Sequence, residues 1–240
     1  MSSAASLQQW VKARNGIAAN TAYKIAMAFR HASMPVIPSV HSALYVLHRS
    51  VASLWANTTR IFWYTPLFQS RLERPAKRLY CYSGMPLVLG TIAMNFGEAV
   101  RISGQATISG RAASTPTPRL VVGNNVDIGW QTTIAVGRRV EIGNNVRIAG
   151  RAFLAGYPGH PLDPAARAAG RPDTDDQIGD IILEDDVWLA TGVTVSAGVR
   201  IGRGTIVAAG SVVTRDLPPG VLAAGVPAKI VRELSKDDSI

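Results

Sequence analysis

The sequence predicts a mainly β chain: a parallel β-helix of six-residue repeats, with an α-helical N-terminal extension and one long loop extruded from the coil. Three observations carry that expectation. A six-residue period runs from about residue 96 onward. The first third lacks that period and shows helical spacing instead. Residues 155–180 break the repeat completely.

The period is clearest in Leu183-Glu-Asp-Asp-Val-Trp188, Leu189-Ala-Thr-Gly-Val-Thr194, Val195-Ser-Ala-Gly-Val-Arg200, Ile201-Gly-Arg-Gly-Thr-Ile206 and Val207-Ala-Ala-Gly-Ser-Val212. An aliphatic residue opens each unit. A small or aliphatic residue follows four later: Val187, Val193, Val199, Thr205 and Ser211. A repeat this short is no helix pair or propeller blade. It suits one flat face of a triangular coil, with three units to a turn. Each unit is then a strand and a corner. The opening side chain points inward and stacks on its equivalent 18 residues along. Gly and Asn tolerate positive φ and suit the corners, as in Gly123-Asn-Asn125 and Gly143-Asn-Asn145. Stacked aliphatic layers supply stability at roughly 25 cal/mol per Å² buried.

The same register reads backwards. Ile142, Ile148 and Leu154 open units with Val146 and Ala152 inside. Val122, Ile128 and Ile134 do so with Val126 and Thr132, and a two-residue slip at Ile134–Val136 predicts a bulge or longer corner. Phe96, Ile102 and Ile108 open earlier units, with Val100, Ala106 and Ala112 expected inside. Residues 113–119, with two prolines, read as a small loop. Residues 155–180 read as a long loop of the kind that carries function.

The N-terminal third is a different kind of sequence. Residues 1–80 hold ten Lys/Arg against the single acid Glu73, while residues 81–240 hold fifteen of each sign. A helix is expected over Ala18–Ala32, ending before Pro35 and Pro38. Val40, Leu44, Leu47, Val51, Leu54, Trp55, Ile61 and Phe62 recur at helical spacing and predict an amphipathic helix. The organisation expected is a basic, aromatic-rich helical region over 1–85, the β-helix over 86–234 and a tail over 235–240. Two readings of the first region stand. Its helices only cap the open end of the coil or pack on its side, with the basic residues solvated, or they lie on an anionic membrane surface as well. No nucleic-acid motif accompanies the basic residues, so nucleic acid is not an expected partner.

Cys81 is the only cysteine, which rules out an intrachain disulfide and fits a reducing compartment. No secretory signal or long apolar run is visible, so a cytoplasmic location is expected, with peripheral contact on the inner face of the membrane as an option.

The candidate chemistry lies in Leu154-Ala-Gly-Tyr-Pro-Gly-His160-Pro-Leu-Asp163, which holds the one histidine outside the helical third. Gly159-His160-Pro161, Ile182–Trp188, Gly210–Pro219 and Ala224–Lys229 occur in the order and spacing of a known family. The chain resembles the hexapeptide-repeat, left-handed β-helix acyltransferases, in the branch of galactoside, maltose and polysaccharide O-acetyltransferases. The resemblance covers residues 120–234 well, 96–119 loosely and 1–80 not at all.

That resemblance implies His160 as general base, removing the proton of an acceptor hydroxyl so that its oxygen attacks the acetyl-CoA thioester. Acetyl-CoA is the implied donor, with no metal and no acyl-enzyme. The same resemblance assigns Ala190 and Thr191 to the thioester end, Ala208 and Ala209 to the pantetheine arm, and Thr214 and Arg215 to a Thr-Lys pair in which Arg here keeps the charge. Pro227, Lys229 and Arg232 correspond to the segment near the nucleotide, where basic groups suit phosphates. It also implies a homotrimer with sites between subunits. The acceptor region departs from the branch. Asp127, Trp130 and Gln131 are the candidates there for binding a saccharide, with Trp130 equally readable as a trimer contact. Trp188 reads as structural or interfacial. A lipid-linked oligosaccharide or growing surface polysaccharide fits a basic, aromatic extension. The rivals are an amino-sugar or amino-acid N-acetyltransferase and a non-catalytic scaffold trimer. A γ-class carbonic anhydrase would need three zinc-binding histidines in the repeats, which hold one.

Overall fold

The computed structural model describes residues 3–235, so all but Ser235 of the expected tail lies outside the described residues. The chain divides into two compact units, one up to Ala52 and one from Ser53 onward.

In the first unit, helices α1 (Ser3–Ala13) and α2 (Ile17–His31) pack on each other, with the Arg14 guanidinium 3.7 Å above the Tyr23 ring. Helix α2 matches the expected one to within a residue. Helix α1 was not foreseen; its large apolar residues, Leu7, Trp10 and Val11, span only about one turn. Helix α3 (Pro38–Thr59) opens on a proline, which suits a helix's first position. The boundary between the units falls within α3, and a π-helical turn (Arg60–Tyr64) and the short α4 (Thr65–Gln69) follow it directly in the second.

The second unit is a parallel coil of three sheets. Its first turn comprises β1 (Tyr80–Tyr82), β2 (Leu87–Leu89) and β3 (Ala93–Phe96). The second comprises β4 (Arg101–Ser103), β5 (Thr107–Gly110) and β6 (Arg119–Val122). The third comprises β7 (Asp127–Ile128), β8 (Thr133–Val136) and β9 (Arg139–Ile142). The fourth comprises β10 (Arg147–Ile148), β11 (Phe153–Ala155) and β12 (Ile181–Leu183). The fifth comprises β13 (Trp188–Leu189), β14 (Thr194–Ser196) and β15 (Arg200–Ile201), and β16 (Ile206–Val207) and β17 (Val212–Val213) begin a sixth. A hairpin of β18 (Val221–Gly225) and β19 (Ala228–Glu233) closes the end. Every third strand stacks in parallel on the last, which builds the three sheets.

The predicted inward positions form one continuous core. Ile102, Ile128, Ile148, Leu189 and Val207 stack in the first sheet, and Ile108, Ile134, Leu154, Val195 and Val213 in the second. The 18-residue spacing holds for Leu183 on Ile201 and Leu189 on Val207. Earlier turns are longer: the first has one extra residue between Cys81 and Val88, and the other extra residues enter at the corner between the second and third sheets. The predicted slip is that corner in the third turn: Val136 and Val140 are both buried around Gly137-Arg138. The loops 111–118 and 156–180 leave from the same corner one turn to either side.

Two expectations need correction. Ala112 is exposed, because the chain leaves the coil at Arg111, whose side chain takes the buried place. The strand ladder begins at Tyr80, six residues before the expected boundary, with Cys81 stacked on Ile102. Residues upstream join the core: Phe68, Leu72, Ala76 and Leu79 are buried, and Phe68 meets Phe96 edge-on at 5.7 Å. The stretch from α4 to Leu79 thus covers the open end of the first turn, which a solenoid requires. Burial pushes the Cys81 thiol up to about 11, so it stays protonated and is no nucleophile.

Candidate active site

The long loop is a folded lobe. Asp163 caps α5 (Pro164–Ala168) by accepting the Ala166 N–H at 2.7 Å, with Pro at the first helical position. A single 3₁₀ turn, Asp175–Gln177, follows, and the Thr174 and Gln177 side chains close a reciprocal cap on it. The Gln177 amide reaches back to the His160 carbonyl at 3.4 Å. Tyr157 Oη donates to Ser109 Oγ at 2.9 Å, tying the root of the lobe to the second turn. His160 itself is exposed, next to Gly159 at φ +83°, a backbone shape that favours glycine.

What holds this lobe is a buried ion pair. Arg111 and Asp173 are each 4 % exposed. Arg111 Nε donates to Asp173 Oδ1 at 2.5 Å and Nη2 to the Asp173 carbonyl at 2.6 Å. Its Nη1 donates to Asp175 Oδ1 at 2.8 Å and to Ser114 Oγ at 3.2 Å. The other carboxylate oxygen of Asp173 accepts the Gly159 N–H at 2.9 Å. One guanidinium therefore clamps the returning end of the lobe, and its partner carboxylate clamps the backbone one residue before His160. Sequence reading missed both residues. They lie 62 positions apart, and each looked like an ordinary loop charge.

The other predicted residues fall on two edges of the coil. Ala190-Thr191 and Ala208-Ala209 stack at the corner between the first and second sheets, where the Gly210 N–H donates to the Thr191 carbonyl at 2.9 Å. Positive φ at Gly192 and Gly210 turns this corner. A Cβ on Gly210 would meet nothing within 4 Å, so the strip is open and presents small side chains and bare backbone. Thr214 and Arg215 are exposed at the corner between the second and third sheets, two turns beyond the His160 lobe on the same edge. Pro227, Lys229 and Arg232 lie exposed in the closing hairpin, with Lys229 paired to Ala224. The structure thus groups His160, Thr214 and Arg215 on one edge and the four small residues on the next. The outer face of the second sheet separates them. On that face, at the root of the lobe, a cleft of about 220 Å³ is lined by Phe153, Ala155, Tyr157, Gln177 and Ser196, among others.

Asp127 faces outward on the first sheet in an ion pair with Arg101 at 3.2 Å. Trp130 and Gln131 sit at the small-residue corner two turns before Ala190, and Gln131 takes φ +54° there. The Trp130 indole lies flat over Gly150: a Cβ on that glycine would fall 2.5 Å from Nε1. Trp188 is half-exposed on the first sheet, stacked between Arg147 and Ile206.

This architecture has known counterparts. Residues 180–215, the cleanest stretch of the repeat, match the family described as bacterial transferase hexapeptide (six repeats). That stretch carries the repeat of the hexapeptide family. Galactoside O-acetyltransferase of Escherichia coli (strain K12) is 34% identical to this chain over 139 residues, 55% of this chain and 66% of that one. The chain spans just under two thirds of the length of that curated relative, and smaller shares of the next ones. Among solved structures, AntD, an N-acyltransferase from Bacillus cereus in complex with dTDP and 3-hydroxybutyryl-CoA, matches with a TM-score of 0.50 at 16% identity. The match covers 68% of this chain and 83% of that chain. A maltose O-acetyltransferase from Clostridium difficile 630 gives a TM-score of 0.46 at 19% identity over 78% of this chain and 84% of that one. The fold is a left-handed parallel β-helix.

Proposed function

We propose that this hexapeptide-repeat protein transfers an acetyl group from acetyl-CoA to a hydroxyl of a saccharide, with His160 as general base. The observation that carries the proposal is the clamped lobe: a buried Arg111–Asp173 pair holds the backbone beside an exposed histidine at the edge of a cleft. A saccharide hydroxyl is a weak nucleophile until its proton is removed. An imidazole can take that proton as the oxygen attacks the thioester carbonyl, and return it to the departing thiolate of CoA. No covalent enzyme intermediate is needed, in keeping with a buried, protonated Cys81.

The donor fits what the coil offers. An open strip at Ala190-Thr191 and Ala208-Ala209 suits an extended pantetheine arm, and Arg215, Lys229 and Arg232 suit its phosphates. The strip and the His160 lobe occupy different edges of one chain. A second copy that lays its strip against this lobe would bring them together, and on this reading the working unit is a homotrimer with sites between subunits. Asp127, Trp130 and Gln131 remain the acceptor candidates. Trp130 and Gln131 lie at the strip's own corner, while Asp127 is engaged by Arg101. The hydroxyl acceptor is favoured over an amine because the relative at 34% identity is named an O-acetyltransferase, whereas the N-acyltransferase resembles this chain at 16% identity, in fold. A surface polysaccharide or lipid-linked oligosaccharide precursor is the acceptor class proposed, and the cytoplasm or its membrane face the location. The lone, unpaired Cys81 fits that compartment.

The test is acetyl-CoA titration together with thiol release across saccharides and amino sugars. His160→Ala should still bind acetyl-CoA and lose roughly 10²–10⁴-fold in turnover. Failure of the wild type to bind acetyl-CoA would overturn the proposal. Turnover with amino sugars alone would replace the hydroxyl acceptor by an amine.

A further inference from the structure

Helix α3 leaves an apolar stripe uncovered. None of its 22 residues is buried. At 100° per residue, Val40, Leu44, Leu47, Val51, Leu54 and Trp55 fall within an arc of about 100°. All six are exposed, Leu54 and Trp55 at 71% each. The π-helical turn that follows adds Ile61, Phe62 and Trp63, also exposed. Arg49 projects from the side of the helix opposite the stripe. Phe68, Leu72, Ala76 and Leu79, further along the chain, join the core of the coil. No helix among the described residues is long and apolar enough to cross a membrane.

Charge identifies the occupant. The first 72 residues hold seven Lys/Arg and no Asp or Glu. A second copy of this segment would bring like charge against like charge. A bilayer rich in anionic lipid offers the complement to both features: headgroups for the cations, and an acyl boundary for a stripe that ends in Trp55, Phe62 and Trp63. We propose that α3 and the π-helical turn after it lie flat in the surface of an anionic membrane, with the Val40–Trp55 stripe facing the acyl chains. The protein is then held where an acceptor carried on a lipid would present its hydroxyls. The docking itself does not depend on the acyltransfer reading.

The experiment uses the full chain and vesicles of phosphatidylcholine with or without abundant phosphatidylglycerol, read by co-sedimentation. Wild type should sediment with the anionic vesicles, far less with the neutral ones, and progressively less as salt rises. Leu47→Glu and Leu54→Glu should weaken the partition at least tenfold, while Ser42→Glu, the same charge change on the polar side of α3, should weaken it much less. Unchanged thermal melting in all three variants keeps folding out of the comparison. Absence of sedimentation with anionic vesicles would overturn the proposal, as would equal losses from Leu54→Glu and Ser42→Glu. If the stripe variants instead dissociate an oligomer and leave vesicle partition intact, the stripe covers a second copy and the proposal fails.

Discussion

Asp173→Asn removes the charge from the carboxylate that clamps the His160 lobe while keeping its shape. The Arg111 guanidinium, 4 % exposed, would lose its buried counterion at 2.5 Å. It would keep the Asp173 carbonyl, Ser114 Oγ and Asp175, whose side chain is 82% exposed and so a screened partner. Removing one member of a buried pair costs about 3–5 kcal/mol, because the other is left charged and uncompensated. Asp175 offsets part of this, which places the expected loss near the lower end, about 3 kcal/mol. For a chain of this size that corresponds to a fall in Tm of roughly 6–12 °C if the coil unfolds as one unit. Urea unfolding and thermal melting measure it. The double variant Arg111→Met/Asp173→Leu should cost less than either single change, since no orphan charge remains. Exchange of the Gly159 amide should quicken in Asp173→Asn, because that N–H donates to the missing carboxylate. A loss below about 1 kcal/mol, or additive costs in the double variant, would refute the view that this pair holds the lobe.

Other consequences are open to direct measurement. Gly150→Ala should push the Trp130 indole off the neighbouring corner, shifting its fluorescence at a cost of about 1–3 kcal/mol, since the new Cβ would fall 2.5 Å from Nε1. Gly104→Ala should be worse, preventing the first turn from stacking, because its Cβ would meet the Gly84 backbone at 2.2 Å and backbone cannot swing aside; circular dichroism and melting would show it. Cys81, buried with its thiol raised to about 11, should resist iodoacetamide in the native protein at pH 8 and react fully in urea. The folded state prefers the protonated thiol, so its contribution to stability is complete below the ordinary value of 9.0 and lost as pH rises towards 11. Urea midpoints across that range check the sign, and an upward trend would contradict it.

The coil was legible because its physics is local and periodic. An inward position recurs every six residues, and the side chains that fill it must be aliphatic or small, so Ile128, Ile148 and Leu189 announce themselves before any contact is known. Corners read almost as well, since Asn125 and Asn145 take the positive φ that Asn tolerates. Their side chains also bond along the corner, Asn125 Nδ2 to Asn145 Oδ1 and Asn145 Nδ2 to Asp186 Oδ1, both at 2.9 Å. The histidine was legible as a loop residue in a motif. What surrounds it was not.

By itself the sequence determined the repeat, the inward faces, the helical start and the place of His160, each set by spacing along the chain. Tertiary structure decided three things that spacing does not carry. It sent the long insertions out at one corner, so that loops from three turns stack and Arg111 meets Asp173 across 62 positions. It used the stretch from Thr65 to Leu79 to close the open end of the coil, with Phe68 edge-on to Phe96. And it set the His160 lobe and the strip of small residues on different edges. Those outcomes depend on which turn lies beside which, and a charge buries itself only where folding brings its counterion alongside.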